Sequence, residues 1–192
     1  MIRKHRSAGA AEDAALEPLA AFDPESRETL EWKQPKAWSQ RHELMWRDRA
    51  VARIATTGFW STKRTIEFAH AKWDVRETAF GDLVVDGPDG PKGTPYLRHR
   101  SGFLSGKFER AGQPTLRTHT GGFWHPWWEL RDDEDQPLIH LDVRQGFSRT
   151  EAALVLFDAA RRLPDLPALI GLSLHAVLVS QKHHAHAAGA GT

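Results

Sequence analysis

Residues 163–180, LPDLPALIGLSLHAVLVS, are the longest apolar run in the chain and decide the fold. Asp165 stands where a helix N-cap is favoured, and Pro167 falls in the first turn, where no amide hydrogen bond is lost. Beyond Pro167 the apolar residues cover every side of a helix and leave no polar stripe. A helix of this kind lies buried in protein or in lipid. The run therefore predicts an enclosed helix at about residues 164–182.

Length and one histidine separate burial in protein from insertion in lipid. The apolar part, residues 166–179, is about 14 residues long, whereas a helix that crosses a hydrocarbon core needs roughly 20. His175 lies within this run and would cost free energy in lipid. We therefore expect a helix in a protein core, with His175 as a core histidine that has one hydrogen-bond partner. Membrane insertion stays the alternative, and solubility without detergent would argue against it.

Composition limits the classes of protein to which the chain can belong. It has 192 residues, a net charge of +1 and no cysteine. This length suits one domain with a sizeable core, and the balanced charge does not indicate nucleic acid as a partner. Without cysteine there is no disulfide framework and no thiol chemistry, which fits the cytoplasm.

The two ends of the chain differ from its middle. Residues 1–28 are rich in alanine and charged residues, and they predict a flexible N-terminal arm. The basic start of this arm lacks the apolar core of a signal peptide. Residues 183–192, HHAHAAGAGT, predict a disordered tail. Between these ends, residues 29–182 are predicted to form one domain.

Short strand-like segments fill the chain between the arm and the apolar helix. The alternation of apolar and polar residues is clearest in residues 138–144, where polar His140 and Asp142 flank apolar Leu141. The predicted strands are residues 30–38, 42–46, 50–56, 64–70, 73–80, 83–85, 96–100, 103–109, 115–120, 123–131, 138–144 and 150–157. About eleven or twelve short strands at this spacing are typical of an all-β barrel or sandwich.

A Gly-Phe dipeptide recurs at four junctions between these segments, at residues 58–59, 102–103, 122–123 and 146–147. Glycine at a junction permits a sharp bend or bulge, which suits a hairpin that is repeated around a closed sheet. A barrel of about twelve strands is too wide to be filled by its own side chains, which suffice for about eight strands. We therefore predict a mainly β fold, a closed antiparallel barrel of about twelve strands around the buried hydrophobic C-terminal helix.

The pattern resembles the tubby-like superfamily, which includes the tubby C-terminal domain, the phospholipid scramblases and the plant LURP-one-related proteins. The resemblance rests on tryptophan-bearing hairpins such as HELMWRDRAVARI and WWELRDDEDQPLIHLDV, on the Gly-Phe-Trp junctions and on the helix LPDLPALIGLSLHAVLVS. It covers about residues 30–182 and looks most like bacterial members. It implies a twelve-stranded barrel around a hydrophobic helix. Tubby domains bind phosphoinositides through a basic surface, but none of their contact residues can be placed on this sequence.

A charge asymmetry supplies the best candidate site. Between residues 91 and 120 the only acidic residue is Glu109. The basic residues of this segment are Lys92, Arg98, Arg100, Lys107, Arg110 and Arg117, with His99 and His119. If the hairpins are neighbours, the cationic patch that binds phosphate groups consists of Arg98, Arg100, Lys107, Arg110 and Arg117. Arginine favours such a site because its guanidinium makes two parallel hydrogen bonds to one phosphate. The alternative is a solvated barrel exterior.

We expect a non-enzymatic binding module without a cofactor. Its expected partner is an anionic membrane surface or a phosphorylated small molecule, and its expected location is cytoplasmic or peripheral at the membrane. A second hypothesis is a protein-interaction module that uses exposed tryptophans among Trp60, Trp124, Trp127 and Trp128. A third is an enzyme that uses His140 and Asp142 as an acid–base pair, for which the sequence supplies no nucleophile. Gly-rich phosphate loops and metalloprotease or hydrolase motifs are absent from the sequence.

Two further clusters of titratable residues carry simpler interpretations. The acidic run at residues 132–135 lacks the glycine and the distal glutamate of a calcium loop, and it predicts a hairpin tip. His183, His184 and His186 are able to bind a divalent metal, but they fall in the predicted tail. The sequence therefore predicts no metal site.

Overall fold

The structure, a computed structural model, describes residues 15–18, 30–36, 40–56, 63–78, 82–86, 96–101, 105–122, 126–145 and 150–189. Within these residues twelve antiparallel strands form one closed barrel, which confirms the predicted fold class. The strands are β1 (Leu30–Lys33), β2 (Arg41–Trp46), β3 (Arg49–Thr56), β4 (Lys63–Phe68), β5 (Ala71–Glu77), β6 (Leu83–Asp86), β7 (Leu97–Ser101), β8 (Ser105–Arg110), β9 (Gln113–Gly121), β10 (Trp127–Arg131), β11 (Pro137–Gln145) and β12 (Thr150–Leu156). Each strand pairs with its neighbours in sequence, and β1 pairs with β12 to close the barrel.

The alternation of apolar and polar residues that predicted the strands also determines which side chains face the lumen and which face outward. In β11 the residues Ile139, Leu141 and Val143 are buried, while His140 and Asp142 are half-buried on the opposite face. Because successive side chains of a strand point to opposite faces, the buried set lines the lumen and the other set lies on the outer wall. The predicted alternation in this strand is thereby confirmed.

The up-and-down order of strands separates the two ends of the barrel. The proximal end carries the tight connections at residues 47–48 and 111–112 and the turn at residues 132–136, and the chain enters the C-terminal helix there. The distal end carries the connections between β3 and β4, β7 and β8, β9 and β10, and β11 and β12. The four Gly-Phe dipeptides fall in the sequence between these distal strand ends, and all but Gly122 lie outside the described residues. Gly122 has a φ of 78°, as expected of a glycine that bends the chain.

A single long helix, α1 (Leu166–Gly189), follows a short 3-10 helix at Ala160–Arg162. The first turns of α1 are enclosed, and every residue from Leu166 to Val177 except Pro167 is buried. No helix in the described part of the chain is long and apolar enough to cross a membrane. The helix continues to Gly189, so that residues 183–189 are helical where the sequence predicted a disordered tail. Alanine is the best helix former, and a helix that is already nucleated extends readily through this alanine-rich stretch.

Of the predicted N-terminal arm, the structure describes residues 15–18, which lie against the start of β3. The amide of Glu17 donates a hydrogen bond of 2.9 Å to the carbonyl oxygen of Ala50. Its carboxylate accepts a hydrogen bond of 2.7 Å from Nη1 of Arg49. This short segment therefore contacts the barrel, and the rest of the arm lies outside the described residues.

The helix approaches the barrel wall closely at Gly171. A Cβ atom placed on Gly171 would clash with Cγ2 of Ile66 on β4 and would lie 2.8 Å from its Cδ1. Since Ile66 is fully buried and β-branched, it has few alternative rotamers, and a side chain here presses the helix and β4 apart. Gly171 thus sets the distance between the helix and the wall.

We expect Gly171→Ala to destabilise the protein. Helix propensity alone would stabilise by about 1 kcal/mol, so a loss of about 1–3 kcal/mol from overpacking reverses the sign. Urea denaturation of Gly171→Ala, Ile66→Ala and the double variant measures this effect. The double variant should be more stable than the sum of the single losses predicts, because Ile66→Ala removes the atoms that clash. A stabilising Gly171→Ala would show that the helix does not press on β4 at this residue.

Candidate functional site

The outer face of β7, β8 and β9 collects most of the predicted basic patch. Strand pairing places Arg100 of β7 directly opposite Lys107 of β8, and Lys107 directly opposite Arg117 of β9. All three side chains are exposed. Arg131 of β10 lies directly opposite Arg117 and continues the row. Neighbouring strands lie about 4.8 Å apart, so these four residues form a row about 14 Å long between the first and last strands. We call Arg100, Lys107, Arg117 and Arg131 the cation row.

The cation row is only partly neutralised by acidic side chains. Nε of Arg100 lies 3.1 Å from a carboxylate oxygen of Glu109. Arg131 contacts Glu129 at 2.6 Å and Asp135 at 2.9 Å. In contrast, Lys107 and Arg117 form no ion pair with any residue that the structure describes. Like charges directly opposite each other destabilise a sheet, so the centre of the row carries an uncompensated electrostatic cost.

Arg98 lies beside the row on β7, where it is half-buried and opposite Glu109. Its Nε atom is enclosed and has no hydrogen-bond partner within the described ranges. Lys92, at the start of the basic segment, lies outside the described residues. The structure therefore brings together four of the five predicted site residues, Arg98, Arg100, Lys107 and Arg117. It adds Arg131, which sequence reasoning missed because only strand register shows that it faces Arg117.

Arg110 does not belong to this surface, and its inclusion in the predicted patch was wrong. It points into the barrel with 8% of its surface exposed. Its Nη1 lies 3.2 Å from Oδ1 of Asp165, and its Nε and Nη2 donate hydrogen bonds of 3.0 and 2.7 Å to the carbonyl oxygen of Pro114. Asp165 directly precedes α1, and its own carbonyl oxygen accepts the first helical hydrogen bond, from the amide of Leu169. Arg110 therefore ties the start of the helix to the wall. The two-residue period of β8, counted from Lys107, already placed it on the opposite face.

The predicted acid–base pair of His140 and Asp142 lies on the outer wall of β11. Nδ1 of His140 lies 3.2 Å from Oε2 of Glu129 on the neighbouring strand, and the imidazole stacks on Trp127 at a centroid distance of 6.1 Å. The other oxygen of Glu129 accepts the hydrogen bond from Arg131. Among the described residues, the hydrogen-bond partner of His140 is thus Glu129 and not Asp142. Glu129 was not predicted because it reaches His140 only across strands.

The predicted tryptophan cluster is divided between the two faces of the wall. Trp128 points into the core and is 2% exposed. Trp127 is half-buried on the outer face, where its ring lies 2.7 Å from the position that a Cβ on Gly121 would occupy. Trp60 and Trp124 lie outside the described residues. The described tryptophans therefore offer no broad exposed aromatic surface.

The acidic run at residues 132–135 forms a hairpin tip, as predicted. Oδ1 of Asp132 accepts hydrogen bonds from the amides of Glu134 and Gln136, at 3.0 and 2.8 Å. Asp135 has a φ of 66°, and its carboxylate contacts Arg131. Within the described residues, no group of three histidine, cysteine or acidic side chains is arranged to hold a metal ion. The side chains of His183, His184 and His186 lie outside that description.

A second group of basic side chains lies inside the barrel and was not predicted as a group. His42 of β2, His99 of β7 and His175 of α1 are 6%, 4% and 2% exposed. Burial lowers the pKa of His42 and of His99 to about 4, and the positive charge of Arg64 adds to the effect at His42. Burial also lowers the pKa of His175 well below its usual range, with smaller contributions from Arg64 and His99. These histidines are therefore neutral at pH 7.

The three buried histidines differ in how their ring nitrogens are satisfied. Nε2 of His99 lies 3.3 Å from Oγ1 of Thr118, while its Nδ1 has no partner in the part of the chain that the structure describes. Neither ring nitrogen of His175 has a hydrogen-bond partner among these residues. The prediction that His175 has one hydrogen-bond partner was therefore wrong. The signal in the sequence was its run of apolar neighbours along the helix, which supply no side-chain hydrogen-bond partner.

Comparison of the chain with protein-family models, with curated proteins and with solved structures finds no match. The barrel and its enclosed helix thus stand on the structure itself. The resemblance to the tubby-like superfamily stays a prediction from the sequence pattern.

We expect that removing one member of the Arg110–Asp165 pair will cost about 3–5 kcal/mol, because a buried charge is left without its partner. The side chains of the pair are 3% and 5% exposed. Arg110→Met and Asp165→Asn, measured singly and together by urea denaturation, form a double-mutant cycle. The double variant should lose less stability than the two single variants added together. Exact additivity would mean that the pair does not couple the helix to the wall.

We also expect stability to fall as the pH drops from about 6.5 towards about 4. In that window the unfolded chain protonates its histidines, whereas folded His42 and His99 stay neutral because their pKa is about 4. Each contributes a slope of up to about 1.4 kcal/mol per pH unit. Unfolding free energies at pH 7.5, 6.5, 5.5 and 5.0 measure the slope. His99→Gln should reduce it, while replacing the exposed His70 with alanine should not. Equal slopes in all three proteins would refute the assignment.

Proposed function

We propose that the protein is a non-enzymatic module that binds phosphate-bearing ligands through the outer face of β7–β9. The observation that carries the proposal is the pairing of Lys107 with Arg117 at the centre of the cation row. Both side chains are exposed, lie on adjacent strands and have no acidic partner among the described residues. A phosphate group between them would supply the missing negative charge.

The chemistry of the row suits phosphate better than a single carboxylate. Arg100 and Arg117 flank Lys107 on the neighbouring strands. A planar guanidinium binds two phosphate oxygens at once, and an ammonium group between two such planes adds a point charge. A ligand with two or more phosphate groups would touch several members of the row at the same time. The expected affinity is sensitive to salt, since exposed charges are screened over about 8 Å at physiological ionic strength.

The geometry of the wall is compatible with a ligand on a membrane surface and with a soluble ligand. The row crosses four neighbouring strands and lies on the outside of the barrel, so access does not depend on opening the lumen. A phospholipid head group and a soluble inositol phosphate share the same phosphate chemistry. The sequence resemblance to tubby-like proteins favours the lipid.

Vesicle co-sedimentation tests the proposal. We expect binding to phosphatidylcholine vesicles that contain a phosphoinositide, and at least a tenfold loss of affinity in Lys107→Glu/Arg117→Glu. The matched control is Lys72→Glu/Arg144→Glu, which changes two exposed cations elsewhere on the barrel by the same total charge. The control should bind within about twofold of the unchanged protein.

A second arm separates the two sources of phosphate. Isothermal titration with a soluble inositol polyphosphate, under the same salt conditions, reports binding without a membrane. Binding to vesicles alone assigns the ligand to lipid, and binding in both arms assigns it to the phosphate group itself. Equal binding to neutral and phosphoinositide vesicles, or equal losses in the two double variants, would refute the proposal.

A further inference from the structure

The inner wall near the distal end brings one arginine next to the enclosed helix. Arg64 and Ile66 are two residues apart on β4, so both point into the lumen, and Arg64 lies nearer the distal end. Gly171 and His175 are four residues apart on α1, so they lie on the same side of the helix. Because Gly171 packs against Ile66, His175 faces the level of Arg64 one turn further along. The two spacings match, at about 6 Å along the helix and about 6.6 Å along the strand.

Further polar groups of neighbouring strands face the same region. Strand pairing places His42 opposite Ile54 and Thr56 opposite Arg64 on the inner face of β2–β4. The positive charge of Arg64 adds to burial in lowering the pKa of both His42 and His175. The region is therefore a polar cluster inside the lumen, separate from the Arg110–Asp165 pair at the proximal end.

This cluster contains several enclosed polar atoms. Nδ1 and Nε2 of His175, Nδ1 of His42 and Oγ1 of Thr56 have no hydrogen-bond partner among the described residues. The side chain of Arg64 forms no hydrogen bond or ion pair with any residue in the described ranges. Buried polar groups in proteins are nearly always hydrogen-bonded, so a cluster of unsatisfied ones is a place where water or a ligand completes the hydrogen bonds.

The charges of the cluster identify the chemical class of that partner. Arg64 supplies one positive charge, and the histidines are neutral donors or acceptors at pH 7. Glu77, on the inner face of β5, interacts electrostatically with Arg64 and opposes a second negative charge. A single carboxylate matches the guanidinium in shape, because its two oxygens accept parallel hydrogen bonds from it. A phosphate dianion would place twice as much negative charge beside Glu77 and is disfavoured. A metal ion is disfavoured, since no set of three ligands is arranged to hold one among the described residues.

We propose that Arg64, His42 and His175 form a binding site for a small carboxylate at the distal end of the barrel lumen. Arg64 is half-buried, whereas His175 on the enclosed helix is 2% exposed. The carboxylate bonds to the Arg64 guanidinium, and the imidazole N–H groups of His42 and His175 donate to its remaining lone pairs. This site is separate from the cation row on the outer wall.

Titration of the histidine-labelled protein with propionate tests the site by imidazole ¹⁵N and ¹H NMR. We expect saturable shifts of His42 and His175, with chloride at equal ionic strength producing none. Arg64→Gln should weaken propionate binding at least tenfold. The control Arg76→Gln removes an arginine on the outer face of β5, where it contacts Asp86, and should bind within about twofold. Inorganic phosphate should bind at least fivefold more weakly than propionate.

The variant Glu77→Gln tests the site a second time and leaves Arg64 unchanged. Removal of the opposing charge should strengthen propionate binding about threefold or more. Shifts that do not saturate, or equal affinities of Arg64→Gln and Arg76→Gln, would overturn the proposal. So would tighter binding of phosphate than of propionate. Lys107→Glu/Arg117→Glu should leave propionate binding unchanged, so this site and the outer surface succeed or fail independently.

Discussion

A helix without a polar side can exist in water only if something surrounds it, and this constraint shapes the whole structure. The wall of twelve strands supplies the enclosure, and the helix fills a lumen that the wall's own side chains could not fill. Each part covers apolar surface of the other. Gly171 shows how close the fit is, because a side chain at this residue would overlap the side chain of Ile66. The Arg110–Asp165 pair then holds the entry of the helix at the proximal end.

Because the helix is enclosed, each of its polar side chains needs a hydrogen-bond partner inside the barrel. Ser173 satisfies its hydroxyl locally, by donating a hydrogen bond of 2.6 Å to the carbonyl oxygen of Leu169 in the preceding turn. The imidazole of His175 makes no such bond to the described part of the helix. His175 must therefore find its partner on the wall or from outside the chain, although it lies in the same buried stretch as Ser173. Ser173 is thus satisfied within the helix, whereas His175 depends on a partner outside the helix.

The periodicity of the sequence predicted the barrel well, but it did not predict contacts that depend on the register between strands. The strands, the alternation around Leu141 and the enclosed helix all follow from local spacing, which a sequence displays directly. The same two-residue period would have moved Arg110 to the inside, had it been applied to β8 as strictly as to β11. In contrast, the facing of Arg131 with Arg117 and the contact of Glu129 with His140 depend on strand register. The end of the helix was also misplaced, because composition that is typical of a mobile tail is equally good for extending a helix.

Strand β8 shows why the outer row of like charges is informative. On its inner face Arg110 is fully engaged, with Asp165 and the carbonyl oxygen of Pro114 as partners. On its outer face Lys107 stands between Arg100 and Arg117, an arrangement that works against sheet stability. Sequences that fold well agree at every level, and local conflicts concentrate where function requires them. Arg100 and Arg131 each have an acidic neighbour that relieves the conflict, whereas Lys107 and Arg117 have none among the described residues. The centre of the row is therefore the part of the outer wall that a negatively charged ligand would stabilise most.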